Sequence, residues 1–177
     1  MSGPAPPPWP GGRASPRQWA LAGFARLPVR ARLWLVRRVA PSHHVGALCL
    51  IEHDGRLLML RQSHRWGWTL PGGLLDRGEA PDVTARREVA EETGLDVEPA
   101  LPFGVVVDTD ARRVDVLFWV PVGHRPPVTA ASEALEAAWL TPEEAGAVDE
   151  STVQALRVFR AFRRPDAHAG RLLGPPP

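Results

Sequence analysis

The chain has 177 residues, of which 44% are hydrophobic and 23% are charged, values typical of a globular domain with short tails. The formal net charge is only +1, so the composition indicates no overall attraction to DNA or to an anionic membrane. The single cysteine, Cys49, excludes an intramolecular disulfide and predicts a cytoplasmic protein with a buried, unreactive thiol. Neither a signal peptide nor a transmembrane segment is expected from the apolar pattern.

Residues 1–16 and 165–177 are rich in proline and glycine and are expected to be disordered tails. In residues 17–41, apolar residues are interspersed with arginine, which predicts an amphipathic segment of one or two short helices interrupted near Pro28. Two interpretations of this Arg-rich segment are open: a helix docked on the domain, or a basic surface that contacts anionic lipid or a partner. Its shortness and its proline favour the docked helix.

The folded domain is predicted over residues 42–164. Asp54-Gly55 is the signal for a hairpin between its first two strands. Strands are expected at residues 45–51, 56–62, 101–109, 113–122 and 137–140, and helices at residues 80–93, 142–148 and 151–163. Because helices and hairpins do not alternate regularly, this order favours an α+β or mixed-sheet sandwich over a Rossmann fold.

Capping residues support two of these helices. Pro81 suits the first turn of the helix over residues 80–93, and Gly94 suits the left-handed residue that ends it. Ser151 is the expected N-cap of the last helix. The buried stripe of that helix is predicted to consist of Val153, Leu156, Phe159 and Phe162.

Three glutamates of the helix over residues 80–93 share one face. Glu88, Glu91 and Glu92 stand at i, i+3 and i+4, within roughly a quarter turn. The like-charge pair Glu88 and Glu92 costs roughly a few tenths of a kcal/mol in an isolated helix, and a divalent cation would remove that repulsion. A solvated acidic face is the competing interpretation for the glutamates taken alone. The opposite face is expected to pack on a sheet and carries Val83, Val89 and Ala90.

The residues around these glutamates strengthen the case for a metal site. Gly72 and Gly73 allow the backbone to approach a metal or a phosphate closely, and free carbonyls in such a loop are good ligands for hard cations. Glu79 lies just ahead of the helix, where a carboxylate suits the dipole. Arg87 can hold a carboxylate in one orientation through its guanidinium fork.

The spacing of these residues resembles that of the Nudix hydrolase family, whose MutT-like motif is G-x5-E-x7-R-E-U-x-E-E-x-G-U, with U apolar. The motif matches at every constrained position from Gly73 to Leu95. The preceding residues 68–72 and the later stretch over residues 138–144 also resemble family members. The resemblance implies an α/β/α sandwich with a mixed central sheet, in which the motif forms a loop–helix–loop. It also implies hydrolysis of a nucleoside diphosphate linked to another group.

Carried over residue by residue, the resemblance implies that Glu88, Glu91 and Glu92 bind Mg²⁺, or Mn²⁺ in its place. Arg87 would orient them, and the Gly72 carbonyl would add a ligand. Many family members take a further glutamate from a loop before the late strand. Glu133 is the favoured candidate, and Glu136 is expected to start the strand instead. Glu88, Glu91 and Glu133 are the alternatives for the catalytic base.

Substrate-binding residues are less constrained by the motif. Trp66 is the candidate for a ring that stacks on a base, because it lies in the polar loop over residues 63–67. Arg61, Arg65 and His64 are candidates to meet phosphate. The other tryptophans of the region, Trp68 and Trp119, are expected to be core residues on strands.

Three functional hypotheses follow for this sequence. The leading one is Mg²⁺-dependent hydrolysis of a small nucleotide such as ADP-ribose, a nucleotide sugar or a (d)NTP. The second is removal of a phosphate or cap from the 5′ end of RNA, which the absence of a broad basic patch disfavours. The third is a regulator that binds a nucleotide without turnover, which the intact glutamates disfavour. A homodimer is plausible by family resemblance.

Overall fold

The computed structural model describes residues 15–40 and 42–164, and the chain divides into two compact units between Ser42 and His43. Most of the two predicted tails, residues 1–14 and 165–177, lies outside the described residues. Ser15 and Pro16, which were assigned to the first tail, begin a helix instead, because the Ser15 hydroxyl caps it and Pro16 suits its first turn.

The first unit contains two helices, α1 (Pro16–Arg26) and α2 (Val29–Val39). The break between them falls at Leu27-Pro28, where proline lacks the amide hydrogen needed to continue a helix. Neither helix contains a buried residue. In residues 15–40 and 42–164, no helix is both long enough and apolar enough to cross a bilayer.

The second unit is built on one mixed sheet. Its strands are β1 (His44–His53), β2 (Arg56–Gln62), β3 (Trp68–Thr69), β4 (Gly72–Leu74), β5 (Pro102–Asp108), β6 (Arg113–Pro121) and β7 (Ala134–Leu140). Its helices are α3 (Pro81–Thr93), α4 (Pro142–Ala145) and α5 (Glu150–Phe162). The β1–β2 hairpin turns at Asp54 and Gly55, both with positive φ, as the Asp-Gly signal predicts.

Strand β1 runs parallel to β6 along its whole length, and β5 lies antiparallel to β6 at one side. On the other side, β1 pairs with β2 only near the hairpin, at Glu52 and His53. Beyond that point the two strands separate, so that β4 pairs with β1 while β3 and β7 pair with β2. The separation leaves space beside β1 for the glycine-rich loop that carries the predicted motif.

Both faces of the sheet are buried, as alternation along β1 shows. Leu48 and Leu50 belong to a core that includes Phe159 and other residues of α5. The alternating residues Ala47, Cys49 and Ile51 pack into a second core with Ala85, Val89 and other residues of the opposite face. Helices therefore cover the sheet on both sides, which confirms the α+β sandwich. Burial raises the pKa of the Cys49 thiol to about 12, as expected of a structural cysteine.

The last helix begins earlier than predicted. Asp149, not Ser151, is the N-cap of α5: its carboxylate accepts a hydrogen bond from the Thr152 amide, and the Ser151 hydroxyl donates to the same side chain. An aspartate competes well with a serine for this position. Leu156 and Phe159 of the predicted stripe are buried, whereas Val153 and Phe162 are only partly buried. The other buried residues of α5 are Thr152, Ala155 and Val158.

Candidate active site

Two glycines bring the loop after β4 against β1 and α3. Gly72 has φ +145°, and a Cβ at this position would lie 2.2 Å from the carbonyl oxygen of Ala47. A Cβ on Gly73 would lie 2.2 Å from a carboxylate oxygen of Glu88. The absence of both side chains thus allows the loop to pass directly beside the glutamate helix.

Helix α3 packs on the sheet through Val89, as predicted, but the rest of its buried face differs from the prediction. Its buried residues are Thr84, Ala85, Val89, Glu92 and Thr93, whereas Val83 is 51% exposed and Ala90 is also exposed. Ala85, Val89 and Glu92 are spaced i, i+4 and i+7, so they form one stripe. The prediction was wrong because it placed every glutamate away from the sheet. Glu92 in fact belongs to the packed face.

Arg87 connects the loop to the helix. Its Nε and Nη2 atoms each donate to one carboxylate oxygen of Glu79 at 3.0 Å, which is a bidentate pair. Its Nη1 atom lies 2.8 Å from Glu88 and 3.4 Å from Glu91. The contact with Glu91 is the longest of these, and Arg87 is anchored mainly by Glu79.

Glu79 is held as a carboxylate by these contacts. Hydrogen bonds from Arg87, from the Thr84 hydroxyl and from the Asp76 amide lower its pKa to about 2. A depressed carboxylate pKa stabilises the fold fully above the ordinary value of 4.5, and the contribution disappears as pH falls towards 2.

We expect Glu79→Gln to lower the thermal unfolding midpoint at neutral pH, because the variant cannot form the charged pair with Arg87. The difference from the wild type should shrink as pH falls from 4.5 to 2, where Glu79 itself becomes neutral. Unfolding followed by circular dichroism without divalent ions measures this, with the exposed Glu98→Gln as control. A difference that stays constant with pH would show that the charge of Glu79 is not what stabilises the loop.

Glu92 is a buried carboxyl group at the base of the site, with 5% of its surface exposed. One oxygen accepts a hydrogen bond of 3.0 Å from the Gly72 amide, and the other accepts from the side-chain amide of Gln62. Burial, and to a smaller extent the neighbouring charge of Glu88, raise the pKa of Glu92 to about 7. The glutamate repulsion inferred from the sequence is therefore reflected in the pKa of Glu92.

Glu88 and Glu91 differ in their surroundings. The Glu88 side chain is 17% exposed, and burial raises its pKa while Arg87 opposes that rise. The Glu91 side chain is 52% exposed at the mouth of the site. One helix thus supplies a half-buried carboxyl group at Glu88, an open one at Glu91 and a buried one at Glu92.

These carboxyl groups line one cleft of about 430 Å³. Its lining includes Gly72, Gly73, Arg87, Glu88, Glu91, Glu92 and, from across the cleft, Arg65, His64, Gln62 and Glu133. Glu133 faces His64 at 3.2 Å, whereas Glu136 lies on β7 and pairs with Arg61 at 3.8 Å. Of the two late glutamates, only Glu133 is part of the cleft lining.

The donor chemistry of the cleft fits a divalent metal ion. Carboxylates and backbone carbonyls are the oxygen ligands that hard cations prefer, and a cation would offset the charge of the buried Glu88 and Glu92. Among the described residues, no three acidic, histidine or cysteine side chains stand close enough together to hold a metal ion as they are. Metal binding would therefore require the glutamate side chains of the cleft to move closer together.

A second cleft of about 580 Å³ lies beside the first. Arg65 lines both clefts and donates to Asp149 at 3.0 Å. Deeper in the second cleft, Arg113 donates through Nε to the buried Asp115 at 2.7 Å, while its buried Nη2 atom has no hydrogen-bond partner. The Arg113–Asp115 pair was missed in the sequence, although an acidic residue inside the apolar strand β6 was a usable signal.

The predicted substrate residues fall in different places. Trp66 is 76% exposed and lines the second cleft, together with Arg65. Arg61 lines neither of these clefts, and its guanidinium stacks on Trp68 at 4.9 Å. Arg61 instead lines a smaller hollow next to Trp66. Trp68 is buried, and Trp119 packs against Phe159 and Phe162, as predicted for core tryptophans.

Comparison with known proteins agrees with this geometry. The model of the NUDIX domain matches residues 40–162. A MutT-like protein of Streptomyces ambofaciens is 37% identical over 125 residues, which cover 69% of this chain and 79% of the relative. The chain therefore belongs to the Nudix hydrolase family, whose members generally use divalent metal ions, and it is an enzyme of the pyrophosphohydrolase type.

More distant relatives share part of the chain. An ADP-ribose pyrophosphatase of Mycobacterium tuberculosis is 43% identical over 74 residues, covering 38% of this chain but only 34% of that protein. The crystal structure of a Nudix hydrolase from Nitrosomonas europaea superposes with a TM-score of 0.64 at 21% identity, covering 76% of this chain and 81% of the other. This structural match supports the fold alone.

Proposed function

We propose that this protein hydrolyses a pyrophosphate linkage in a nucleoside diphosphate derivative, with Mg²⁺ as the cofactor and water attacking phosphorus. The candidate substrates are ADP-ribose, a nucleotide sugar and a (d)NTP. The observation that carries the proposal is the convergence of Glu88, Glu91, Glu92 and Glu133 on one cleft beside the glycine-rich loop. Such a concentration of carboxylates repels a phosphate group unless cations lie between them.

In this proposal, Glu88, Glu91, Glu92 and the Gly72 carbonyl hold the metal ions, and Glu133 adds a ligand from across the cleft. When bound, the metal neutralises phosphate charge and lowers the pKa of water. Arg87 keeps the helix glutamates in position through its anchor on Glu79.

One glutamate accepts the proton of the attacking water. Glu88, Glu91 and Glu133 remain the alternatives for this base, because all three line the cleft. A comparison of the pH–rate profiles of Glu88→Gln, Glu91→Gln and Glu133→Gln would identify the base as the residue whose loss removes the acidic limb.

The second cleft is proposed to hold the nucleoside. The second cleft adjoins the glutamate cleft, because Arg65 lines both. A nucleotide could therefore bind with its base in the second cleft and its phosphates in the glutamate cleft. Trp66 offers an exposed ring for stacking on the base. The partly charged lining, with Arg65 and Asp149, supplies hydrogen-bonding groups for a polar base.

We expect Trp66→Ala to raise KM about tenfold with a smaller change in kcat, because base stacking on an aromatic ring contributes roughly 1–3 kcal/mol. Steady-state kinetics with the preferred nucleotide measures both constants. Trp19→Ala, in α1, is the matched control, since Trp19 is also exposed. An unchanged KM for Trp66→Ala would remove this residue from the proposed binding site.

The proposal is tested by incubating the purified protein with ADP-ribose, nucleotide sugars, (d)NTPs and 5′-triphosphorylated RNA, with Mg²⁺ or with EDTA. We expect a nucleoside monophosphate and a second phosphorylated product to appear from one small nucleotide class only when Mg²⁺ is present. Cleavage of RNA alone would favour the RNA hypothesis. Tight nucleotide binding without any product would favour a regulator. A cytoplasmic location and a homodimer are also predictions of this account.

A further inference from the structure

Charge is distributed unevenly along this chain. Residues 15–40 contain six of the 21 arginines and none of the 20 acidic residues, so the rest of the chain carries a formal charge of −5. The net charge of +1 therefore hides a strongly basic segment joined to an acidic domain. Opposite signs in two parts of a chain indicate two different partners.

Helix α2 combines this charge with an exposed apolar stripe. Val29, Leu33 and Val36 are spaced i, i+4 and i+7 and are 60%, 51% and 47% exposed. At about 100° per residue, Arg37 lies about 80° to one side of Val29 and Arg32 about 60° to the other. Arginines that flank an apolar stripe can extend their guanidinium groups towards the polar layer of a membrane.

The dimensions of α2 fit a position in the membrane interface. The helix has 11 residues and is about 16 Å long, about half the thickness of a hydrocarbon core. Trp34 is 62% exposed and lies under the guanidinium of Arg38 at 5.6 Å, on the side of α2 away from the stripe. A short helix with arginines on both sides of an apolar stripe is suited to lie in the plane of a bilayer.

We propose that residues 15–40 bind an anionic phospholipid surface, with the apolar stripe of α2 facing the acyl chains and its arginines contacting the headgroup phosphates. Nucleic acid would also attract six arginines, but it gives no reason for an exposed stripe of valine and leucine. The sequence favoured a helix docked on the domain. The arginines that flank the stripe and the absence of acidic residues from this segment favour lipid.

Sedimentation of the full-length protein with vesicles tests this proposal. One set of vesicles contains phosphatidylcholine alone, and the other contains equal parts of phosphatidylcholine and phosphatidylglycerol. We expect the wild type to bind the anionic set only. The double variant Arg32→Gln, Arg37→Gln should bind roughly thirtyfold more weakly, because each basic residue near such a surface contributes roughly fivefold.

Leu33→Glu separates the lipid proposal from simple charge attraction. It should weaken binding at least about tenfold, because the variant loses an apolar contact and also gains a negative charge. The control for this change is Leu101→Glu in the domain, where Leu101 is 80% exposed. The control for the arginine pair is Arg125→Gln, Arg160→Gln, two exposed residues outside the segment. Both controls should bind as the wild type does, and thermal unfolding should show that every variant is folded.

Three results would overturn the proposal. The first is a wild type that does not bind the anionic vesicles, which would leave the docked helix as the explanation. The second is a Leu33→Glu variant that binds as well as Leu101→Glu. The third is binding of an RNA oligonucleotide in preference to the vesicles. None of these results depends on the identity of the hydrolysed substrate, so the test stands apart from the proposed activity.

Discussion

Glu92→Gln should lower the hydrolysis rate about a thousandfold and at the same time stabilise the fold. The loss of rate follows if Glu92 binds the metal, because removal of a metal ligand costs several kcal/mol in the transition state and each 1.36 kcal/mol is tenfold. The gain in stability follows from burial, since glutamine carries no charge to desolvate.

The stability gain of Glu92→Gln depends on pH, because the pKa of Glu92 differs between the folded and unfolded states. This pKa is raised from 4.5 to about 7, so the folded state binds the proton more tightly than the unfolded state. The wild type therefore loses stability as pH rises from 4.5 to 7, because the buried Glu92 becomes charged. Below pH 4.5 the carboxyl group is neutral in both states, so it does not destabilise the fold. Above pH 7, without divalent ions, we expect the variant to be more stable by on the order of 3 kcal/mol.

The surroundings of Glu92 can accept the glutamine. Gln62 donates to Glu92 through its amide nitrogen, while its own buried side-chain oxygen has no partner. Rotation of the Gln62 amide would present that oxygen to the new amide nitrogen. Urea unfolding at pH 5 and pH 8 measures the stability difference, and initial rates measure the activity.

Glu143→Gln is the matched control, because Glu143 is an exposed glutamate that pairs only with Arg160 at 3.7 Å. It should match the wild type in rate and in stability. A Glu92→Gln enzyme that turns over within threefold of the wild type would remove Glu92 from the metal site. A variant less stable than the wild type at pH 8 would show that the Glu92 carboxylate is not a cost to the fold.

Gly73→Ala should lower activity about a hundredfold while the protein remains folded. The new Cβ would lie 2.2 Å from a Glu88 oxygen, 2.4 Å from its Cδ and 2.8 Å from its second oxygen. These atoms are the end of a side chain, so Glu88 can move away without a shift of the backbone. A displacement of about 1 Å in a catalytic group costs roughly a hundredfold.

Two other glycines provide comparisons for Gly73→Ala. Gly123→Ala should have no effect on rate or stability, since nothing lies within 4 Å of the added Cβ. Gly72→Ala should prevent stable folding, because its Cβ would meet the backbone of Ala47 at 2.2 Å and φ is +145°. Hydrolysis rates and thermal unfolding together distinguish the three. Wild-type activity in Gly73→Ala would mean that the position of Glu88 is not important for catalysis.

Local patterns predicted much of the fold. The Asp54-Gly55 turn, the strand over residues 56–62 and the Gly94 cap each depend on a few adjacent residues, and the structure has all three. The N-cap of α5 was misplaced because Asp149 and Ser151 are both good caps, and local sequence does not rank them.

The site was predictable only in part. The motif identifies Glu88, Glu91 and Glu92 as one set, but their three different environments depend on how α3 is rotated against the sheet. The contact of Arg65 with Asp149 and the contact of Gln62 with Glu92 join residues far apart in the sequence. Such contacts follow from tertiary packing, which no local pattern describes.

The central claim is that the glutamate cleft holds the divalent metal ion, and Mn²⁺ binding measured by electron paramagnetic resonance tests it most directly. Protein that binds Mn²⁺ removes the signal of the free ion. We expect the wild type and Glu143→Gln to bind Mn²⁺ equally, and Glu92→Gln to bind at least about tenfold more weakly. Equal Mn²⁺ affinity in the wild type and in Glu92→Gln would contradict the account.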